Sequence, residues 1–289
     1  MTETTDPTTG DDLTLVLGGT GKTGTRVTQR LASLGRPARA ASRRTDPTFD
    51  WDDPATWDDV LQGVTAAYVA YYPDLGFPGA ADAVAAFARL AAGRGVQRLV
   101  LLSGRGEEEA QRSEEAVRAV VPDLTVVRAS WFMQNFSEHF LLAPVLDGVI
   151  ALPAGDVAEP FVDVDDVAAV AVVALTEDGH AGRTYELTGP RLLSFADVAA
   201  ELTRATGREI VYLPVSSADY EGAARAAGVP DEEIAPLTEL FENVLDGRNA
   251  SVTGDVEAVL GRPPTDFAAY ARAAAGSGVW DLDPQEAGR

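Results

Sequence analysis

The chain predicts an α/β fold: a doubly wound parallel sheet covered by helices, followed by a smaller C-terminal α/β lobe. Three observations carry this. Short apolar runs alternate with helix-length segments from Leu13 to about residue 150, and strands separated by helices imply crossover connections and a parallel sheet covered on both faces. A glycine-rich loop, Gly18-Gly19-Thr20-Gly21-Lys22-Thr23-Gly24, joins the first run to the first helix. The composition, 46% hydrophobic over 289 residues, supplies a large core.

Taken in order, residues 1–12 are rich in Thr and Asp and read as a disordered tail. Leu13 to Leu17 is a strand. Thr23 to Leu34 is a helix with Val27, Leu31 and Leu34 on one face, ended by Gly35. Ala38 to Ala41 is a strand, Asp50 to Asp53 a turn, and Pro54 opens a short helix. Ala66–Ala70, Leu99–Leu102 and Leu124–Arg128 read as strands; Gly79–Gly93, Glu107–Val120 and Asn135–Leu146 read as helices. Beyond residue 150 the expected helices are Asp163–Thr176, Phe195–Ala205 (capped by Ser194), Ser216–Ala227 and Asp231–Leu245, with two short ones in Gly254–Gly276. Thr184–Leu187 and Ile210–Leu213 are expected strands. The implied domains are 13–150, which also receives parts of 163–190, and 151–289 as the substrate lobe. Ligands of such sheets bind at the carboxyl ends of the strands, so a crevice beside the lobe is the expected site.

Composition removes whole classes of function. A formal net charge of −22 disfavours nucleic acid and anionic membrane surfaces, which draw on clustered Lys and Arg. There is no Cys, so disulfides and thiolate chemistry are excluded. The only histidines are His139 and His180, too few for a multi-histidine metal site. Asp163, Asp165 and Asp166 resemble a metal cluster, but carboxylates at the positive end of a helix explain them. No metal is expected. The polar, acidic first residues do not look like a signal peptide, and the longest apolar run, Val167–Leu175, is too short to span a bilayer. A cytoplasmic protein is expected, compatible with a homodimer.

The glycine loop follows a strand and opens a helix, the setting in which such glycines cradle a dinucleotide pyrophosphate. One glycine permits the tight turn, one lets backbone N–H groups approach phosphate, and one lets helix and strand pack closely. A Walker A loop would need Gly at position 16, where Val16 stands. Specificity for NAD usually needs an acidic residue at the end of the second strand. Here the stretch is Ala40-Ala41-Ser42-Arg43-Arg44, so guanidinium groups suited to a 2′-phosphate replace the carboxylate. NADP(H) is the expected cofactor.

The chain has one lysine, Lys22, and it lies in the glycine loop. A Tyr-x-x-x-Lys proton-transfer pair is therefore absent, and its place some eleven residues after Ser103 reads Glu114-x-x-x-Arg118. Hydride transfer can still serve a substrate that needs little proton help, such as a quinone stacked on nicotinamide in a dry site.

With the glycine loop, Val126-Val127-Arg128-Ala129-Ser130-Trp131-Phe132-Met133-Gln134-Asn135-Phe136 and Asp178-Gly179-His180-Ala181-Gly182-Arg183-Thr184-Tyr185-Glu186-Leu187-Thr188-Gly189 in view, the chain resembles NmrA-like atypical short-chain dehydrogenases, of the NAD(P)H:quinone oxidoreductase type. The resemblance runs from Leu13 to about Ala274. It implies a Rossmann domain with a C-terminal substrate lobe and NADPH as cofactor. By position, Gly18, Thr20, Gly21, Lys22, Thr23 and Gly24 would hold the pyrophosphate, and Arg43, beside Ser42, the 2′-phosphate. Tyr71 and Ser103 would lie near the nicotinamide as the candidate catalytic residues. Tyr72, Trp131, Phe132 and Asn135 would meet the substrate, and the aromatic Tyr71-Tyr72-Pro73 suggests a flat aromatic ligand. The implied activity is NADPH-dependent reduction of a quinone or a related conjugated molecule. Two alternatives stay open: a non-catalytic NADP(H)-binding redox sensor, and a biosynthetic enzyme acting on an aromatic polyketide-like substrate.

Overall fold

The structure, a computed structural model, describes residues 12–282, except for the side chains of residues 232, 233, 236 and 240. The expected tail lies outside the described residues save for Asp12. β1 (Leu13–Leu17) leads through the glycine loop into α1 (Lys22–Ser33), and β2 (Ala38–Ala41) follows. A 3-10 turn at Pro54–Thr56 is capped by the Asp53 carboxylate, which accepts from the Ala55 N–H. Then come α2 (Trp57–Val60), β3 (Val64–Val69), α3 (Ala80–Gly93), β4 (Arg98–Gly104), α4 (Glu108–Arg118) and β5 (Thr125–Ala129). The chain continues as α5 (Asn135–Glu138), α6 (Leu142–Asp147), β6 (Val149–Leu152), β7 (Ala158–Glu159), α7 (Val164–Thr176) and β8 (Thr184–Leu187). It closes with β9 (Leu193–Ser194), α8 (Phe195–Thr206), β10 (Val211–Pro214), α9 (Ser217–Ala226), α10 (Asp231–Val244), α11 (Asp255–Leu260) and α12 (Phe267–Gly276).

Six strands form one parallel sheet in the order β2-β1-β3-β4-β5-β8. Chain order reverses at β1, whose neighbours are β2 on one side and β3 on the other, so the loops after β1 and β3 flank the switch point of the sheet. The register Val16↔Tyr68↔Val100 sets these three side chains on one face. Their neighbours Leu15, Leu17, Ala67, Val69, Leu99 and Leu101 point the other way, into a core with Phe49, Trp57, Val84, Phe87, Ala110 and Val117. Phe87 is fully buried against Phe49, Trp51 and Trp57, which favours the fold by about 1.5–3 kcal/mol. Val27 and Leu31 of α1 are fully buried one turn apart.

Two compact units divide the chain. The first holds 12–103, Glu109–Val127 and Ala168–Thr184; the second holds Gly104–Glu108, Arg128–Val167 and 185–282. Ala168–Thr184 belongs with the first unit. Residues 128–150 do not follow the 13–150 boundary and fall in the second. The reason is packing: Trp131, Phe136, Leu141 and Val145 are buried in one core with Phe161, Phe195, Phe241 and Phe267. Two polar aromatics in this core are satisfied. The Tyr270 hydroxyl donates to Ser137 Oγ at 2.7 Å, and Trp280 Nε1 donates to the Phe136 carbonyl at 2.9 Å.

The expected single helix Asn135–Leu146 is corrected to two. His139 is extended (φ −147°, ψ −156°) and separates α5 from α6. Pro144 supplies the physical reason. Inside a continuous helix it would remove a backbone hydrogen bond and strike the preceding turn, whereas the break puts it in the first turn of α6, where no donor is needed. The short β6, β7 and β9 are also additions to the sequence expectation. β6 pairs in parallel with β10, and β7 in antiparallel fashion with β9.

Candidate functional site

The loop after β1 has the geometry of a phosphate cradle. Gly18 adopts φ +68°, a left-handed conformation that a side chain disfavours, and the Gly21 N–H donates to its carbonyl at 2.8 Å. A Cβ on Gly24 would lie 2.2 Å from the Gly18 carbonyl oxygen, so the start of α1 approaches the loop as closely as backbones allow. A Cβ on Gly19 would lie 2.6 Å from the Ala40 Cβ, and one on Gly18 3.2 Å from the Ala70 Cβ. The loop is therefore wedged between the ends of β2 and β3. Gly21 stands at the N-cap of α1 with no side-chain cap, and the first turn has no acidic residue, which leaves the positive end of the helix to an external anion. Thr20 and Gly21 are exposed, Lys22 is half-buried and Thr23 is buried. The fully buried Tyr68 hydroxyl lies beside Thr23 without an ordinary hydrogen bond, and burial raises its pKa.

Ser42 organises the turn after β2. Its Oγ accepts from the Arg44 N–H at 3.2 Å, and its carbonyl accepts from the Thr45 and Phe49 N–H groups. Arg43 is exposed, with its guanidinium 5.3 Å above the Tyr72 ring. Tyr72 is 66% exposed. Tyr71 is half-buried, with its ring 4.9 Å from that of Trp51 at the margin of the aromatic core. Burial, with Asp52 nearby, raises the Tyr71 pKa. These groups could hold an adenine ribose and its 2′-phosphate.

Ser103, at the end of β4, is buried and donates to Glu114 Oε1 at 2.6 Å. Sequence reasoning placed Glu114 where a tyrosine would stand but did not foresee this bond. Its only signal was the eleven-residue interval, which sets Glu114 about two turns into α4.

The second unit holds the other candidates. Trp131 is 8% exposed and stacks on Phe241 at 5.8 Å and 15°, so most of its ring is core. Phe132 is half-buried and forms a parallel bridge with Val162. Asn135 is buried at the start of α5. Sequence reasoning missed two charged residues here. Arg105 is buried and donates to Glu186 Oε2, to the carbonyls of Asn249 and Ser251, and to Ser251 Oγ. Glu159 is fully buried, and neither of its carboxyl oxygens has a hydrogen-bond partner. Its signal was a lone acid in the apolar run Val157-Ala158-Glu159-Pro160-Phe161-Val162.

Two of the three aspartates at the start of α7 are engaged in hydrogen bonds within the fold. Asp163 accepts from Gln134 Nε2 and from the Asp165 N–H, both at 2.8 Å. Asp166 is fully buried and accepts from Arg262 Nη2 and the Thr265 N–H, both at 2.6 Å. Among the described residues no group of His, Asp and Glu is arranged to hold a metal ion, and no helix is long and apolar enough to cross a membrane. His139 is exposed with its ring edge-on to Phe140, and the His180 carbonyl accepts from Thr125 and Arg183.

No family model matches the chain. It is 31% identical over 274 residues to agroclavine dehydrogenase of Claviceps fusiformis, covering 89% of this chain and 95% of that enzyme. Its fold matches a triphenylmethane reductase of Citrobacter sp. solved with NADP(H), with a TM-score of 0.75 and 21% identity over 91% of this chain and 99% of that one. It also matches an NADPH-dependent quinone oxidoreductase of Escherichia coli, with a TM-score of 0.69 and 23% identity over 90% and 98% of the two chains. The chain belongs to the NmrA-like, atypical short-chain dehydrogenase/reductase family of oxidoreductases.

Proposed function

We propose that the protein is an NADPH-dependent reductase that delivers hydride to a quinone or a related conjugated aromatic molecule without a Tyr-x-x-x-Lys pair. The observation that carries this reading is the glycine cradle, closed by Gly24 against Gly18 and opening on the uncapped start of α1. Gly18, Thr20, Gly21, Lys22, Thr23 and Gly24 would bind the pyrophosphate. Ser42 and Arg43 would take the 2′-phosphate, and Tyr71 and Ser103 would lie by the nicotinamide. Tyr72 in the first unit, and Trp131, Phe132 and Asn135 in the second, are the substrate-binding candidates. When bound, the nicotinamide supplies the hydride; the residues bind, orient and exclude water. The fold shared with a quinone oxidoreductase and a triphenylmethane reductase supports an aromatic acceptor.

The test is to incubate the protein with NADPH and a panel of quinones and conjugated dyes and to follow loss of NADPH absorbance. Consumption with several acceptors, faster than with NADH, is the expected result. Tight NADPH binding without consumption would replace this reading with that of a redox sensor. Two observations favour that second reading: the only lysine lies in the cradle, and Ser103 already donates its proton to Glu114.

A further inference from the structure

Arg43 and Tyr72 are both exposed, yet they meet: the guanidinium carbon lies 5.3 Å from the centre of the ring. Both belong to the first compact unit. They flank the glycine loop. Arg43 follows β2, where the Ala40 Cβ would lie 2.6 Å from a Cβ on Gly19; Tyr72 follows β3, where the Ala70 Cβ would lie 3.2 Å from a Cβ on Gly18. Their contact therefore joins the strands on either side of β1, at the switch point of the sheet. The backbone beside each is anchored. The Ser42 N–H donates to Thr45 Oγ1 at 2.8 Å, the Arg44 N–H donates to Ser42 Oγ, and the Tyr71 ring packs on Trp51. What is left adjustable is the Arg43 side chain. A free arginine samples many rotamers, and a ligand that binds it must fix one. A carboxylate could hold the guanidinium but would neutralise it; an aromatic face attracts the cation and leaves its charge.

We propose that Tyr72 is a positioning residue for cofactor choice: its ring holds the Arg43 guanidinium ready for a 2′-phosphate and so sets the preference for NADPH over NADH. The inference rests on the reading of Arg43 as the 2′-phosphate partner, and it moves Tyr72 from the substrate to the cofactor. A phosphomonoester carries between one and two negative charges near neutral pH and gains a charge-assisted bond from a guanidinium already in place. The 2′-hydroxyl of NADH is neutral and gains little from the same group. The turn Ser42-Arg43-Arg44-Thr45 also offers that hydroxyl no carboxylate. The advantage given to NADPH is the rotamer freedom that Arg43 has already lost against Tyr72.

The test is equilibrium titration with NADPH and with NADH, read from the fluorescence of the reduced nicotinamide and needing no turnover. It compares wild type, Tyr72→Phe, Tyr72→Leu, Arg43→Ala and the double variant Arg43→Ala with Tyr72→Leu. In Tyr72→Leu the NADPH Kd should rise about threefold to tenfold while the NADH Kd is unchanged, and Tyr72→Phe, which keeps the ring, should match wild type. The double variant should bind NADPH no more weakly than Arg43→Ala alone. An unchanged NADPH Kd in Tyr72→Leu, beside a weakened one in Arg43→Ala, overturns the role of Tyr72 and leaves that of Arg43 standing. Equal weakening of NADPH and NADH in Tyr72→Leu also overturns it, because the ring would then act on the part that the two cofactors share. Unchanged NADPH affinity in Arg43→Ala sinks the 2′-phosphate partner and, with it, the inference. Thermal unfolding confirms that each variant is folded.

Discussion

Ser103 Oγ donates to Glu114 Oε1 across 2.6 Å, with both side chains buried. A hydroxyl has one proton, so a serine engaged in this way presents only lone pairs to any other group. Ser103 is thereby suited to accept from an N–H donor, such as a carboxamide, and unsuited to protonate a substrate. Ser103→Ala and Glu114→Leu should each weaken NADPH binding about threefold to tenfold, and the double variant no more than either alone. Glu114→Gln, which keeps an acceptor oxygen, should stay near wild type. Titrations of NADPH fluorescence would check this; additive losses would show that Glu114 does not act through Ser103.

Gly24→Ala tests the cradle. The new methyl group would meet the Gly18 carbonyl oxygen at 2.2 Å and the Gly19 Cα at 2.8 Å, and backbone cannot swing aside as a side chain can. The variant should lose about 1–3 kcal/mol of stability. Its NADPH affinity should fall at least about tenfold, because the loop must shift where the pyrophosphate would lie. Denaturant unfolding and cofactor titration measure the two effects separately; unchanged affinity would remove the pyrophosphate from this loop.

Arg43→Asp tests the choice of cofactor. The guanidinium is exposed and rests on the Tyr72 ring, so it can be replaced without disturbing a core. Losing a charge-assisted bond to a 2′-phosphate should weaken NADPH binding about tenfold to a hundredfold, and the new carboxylate should improve NADH. Equal Kd values for the two cofactors before and after substitution would exclude Arg43 from the site.

Glu159 predicts a pH dependence of stability. Burial raises its folded pKa to about 7, above the ordinary 4.5. A carboxyl shifted upward disfavours the folded state once ionised: the cost is absent below about pH 4.5, develops between there and pH 7, and is complete above. The shift corresponds to about 3 kcal/mol at most. Glu159→Gln should therefore be more stable than wild type at about pH 8, with the advantage shrinking toward about pH 5. Urea midpoints at the two pH values decide it; a difference independent of pH would mean that Glu159 does not ionise on this range.

The strand, glycine loop and helix from Leu13 to Ser33 were legible because their determinants are local: an apolar run, glycines where a Cβ would collide, and buried Val27 and Leu31 one turn apart. The turn at Asp53-Pro54 and the cap at Ser194 were legible for the same reason, since each is satisfied within a few residues. β6, β7 and β9 were not, because strands of two to four residues are stabilised by partners distant in the chain, as Val149 is by Val211. The helix expected over Asn135–Leu146 failed where periodicity outweighed the single residue, Pro144, that forbids continuity.

The sequence by itself determined the α/β class, the position of the cradle, the lone Lys22 and the guanidinium at position 43, because composition, period and spacing are properties of the chain. Only the tertiary structure decided that Trp131 is mostly core, that Ser103 meets Glu114, and that Glu159 is buried with no partner. Burial and pairing depend on which distant segments exclude water from a side chain, and that is settled when the elements pack together.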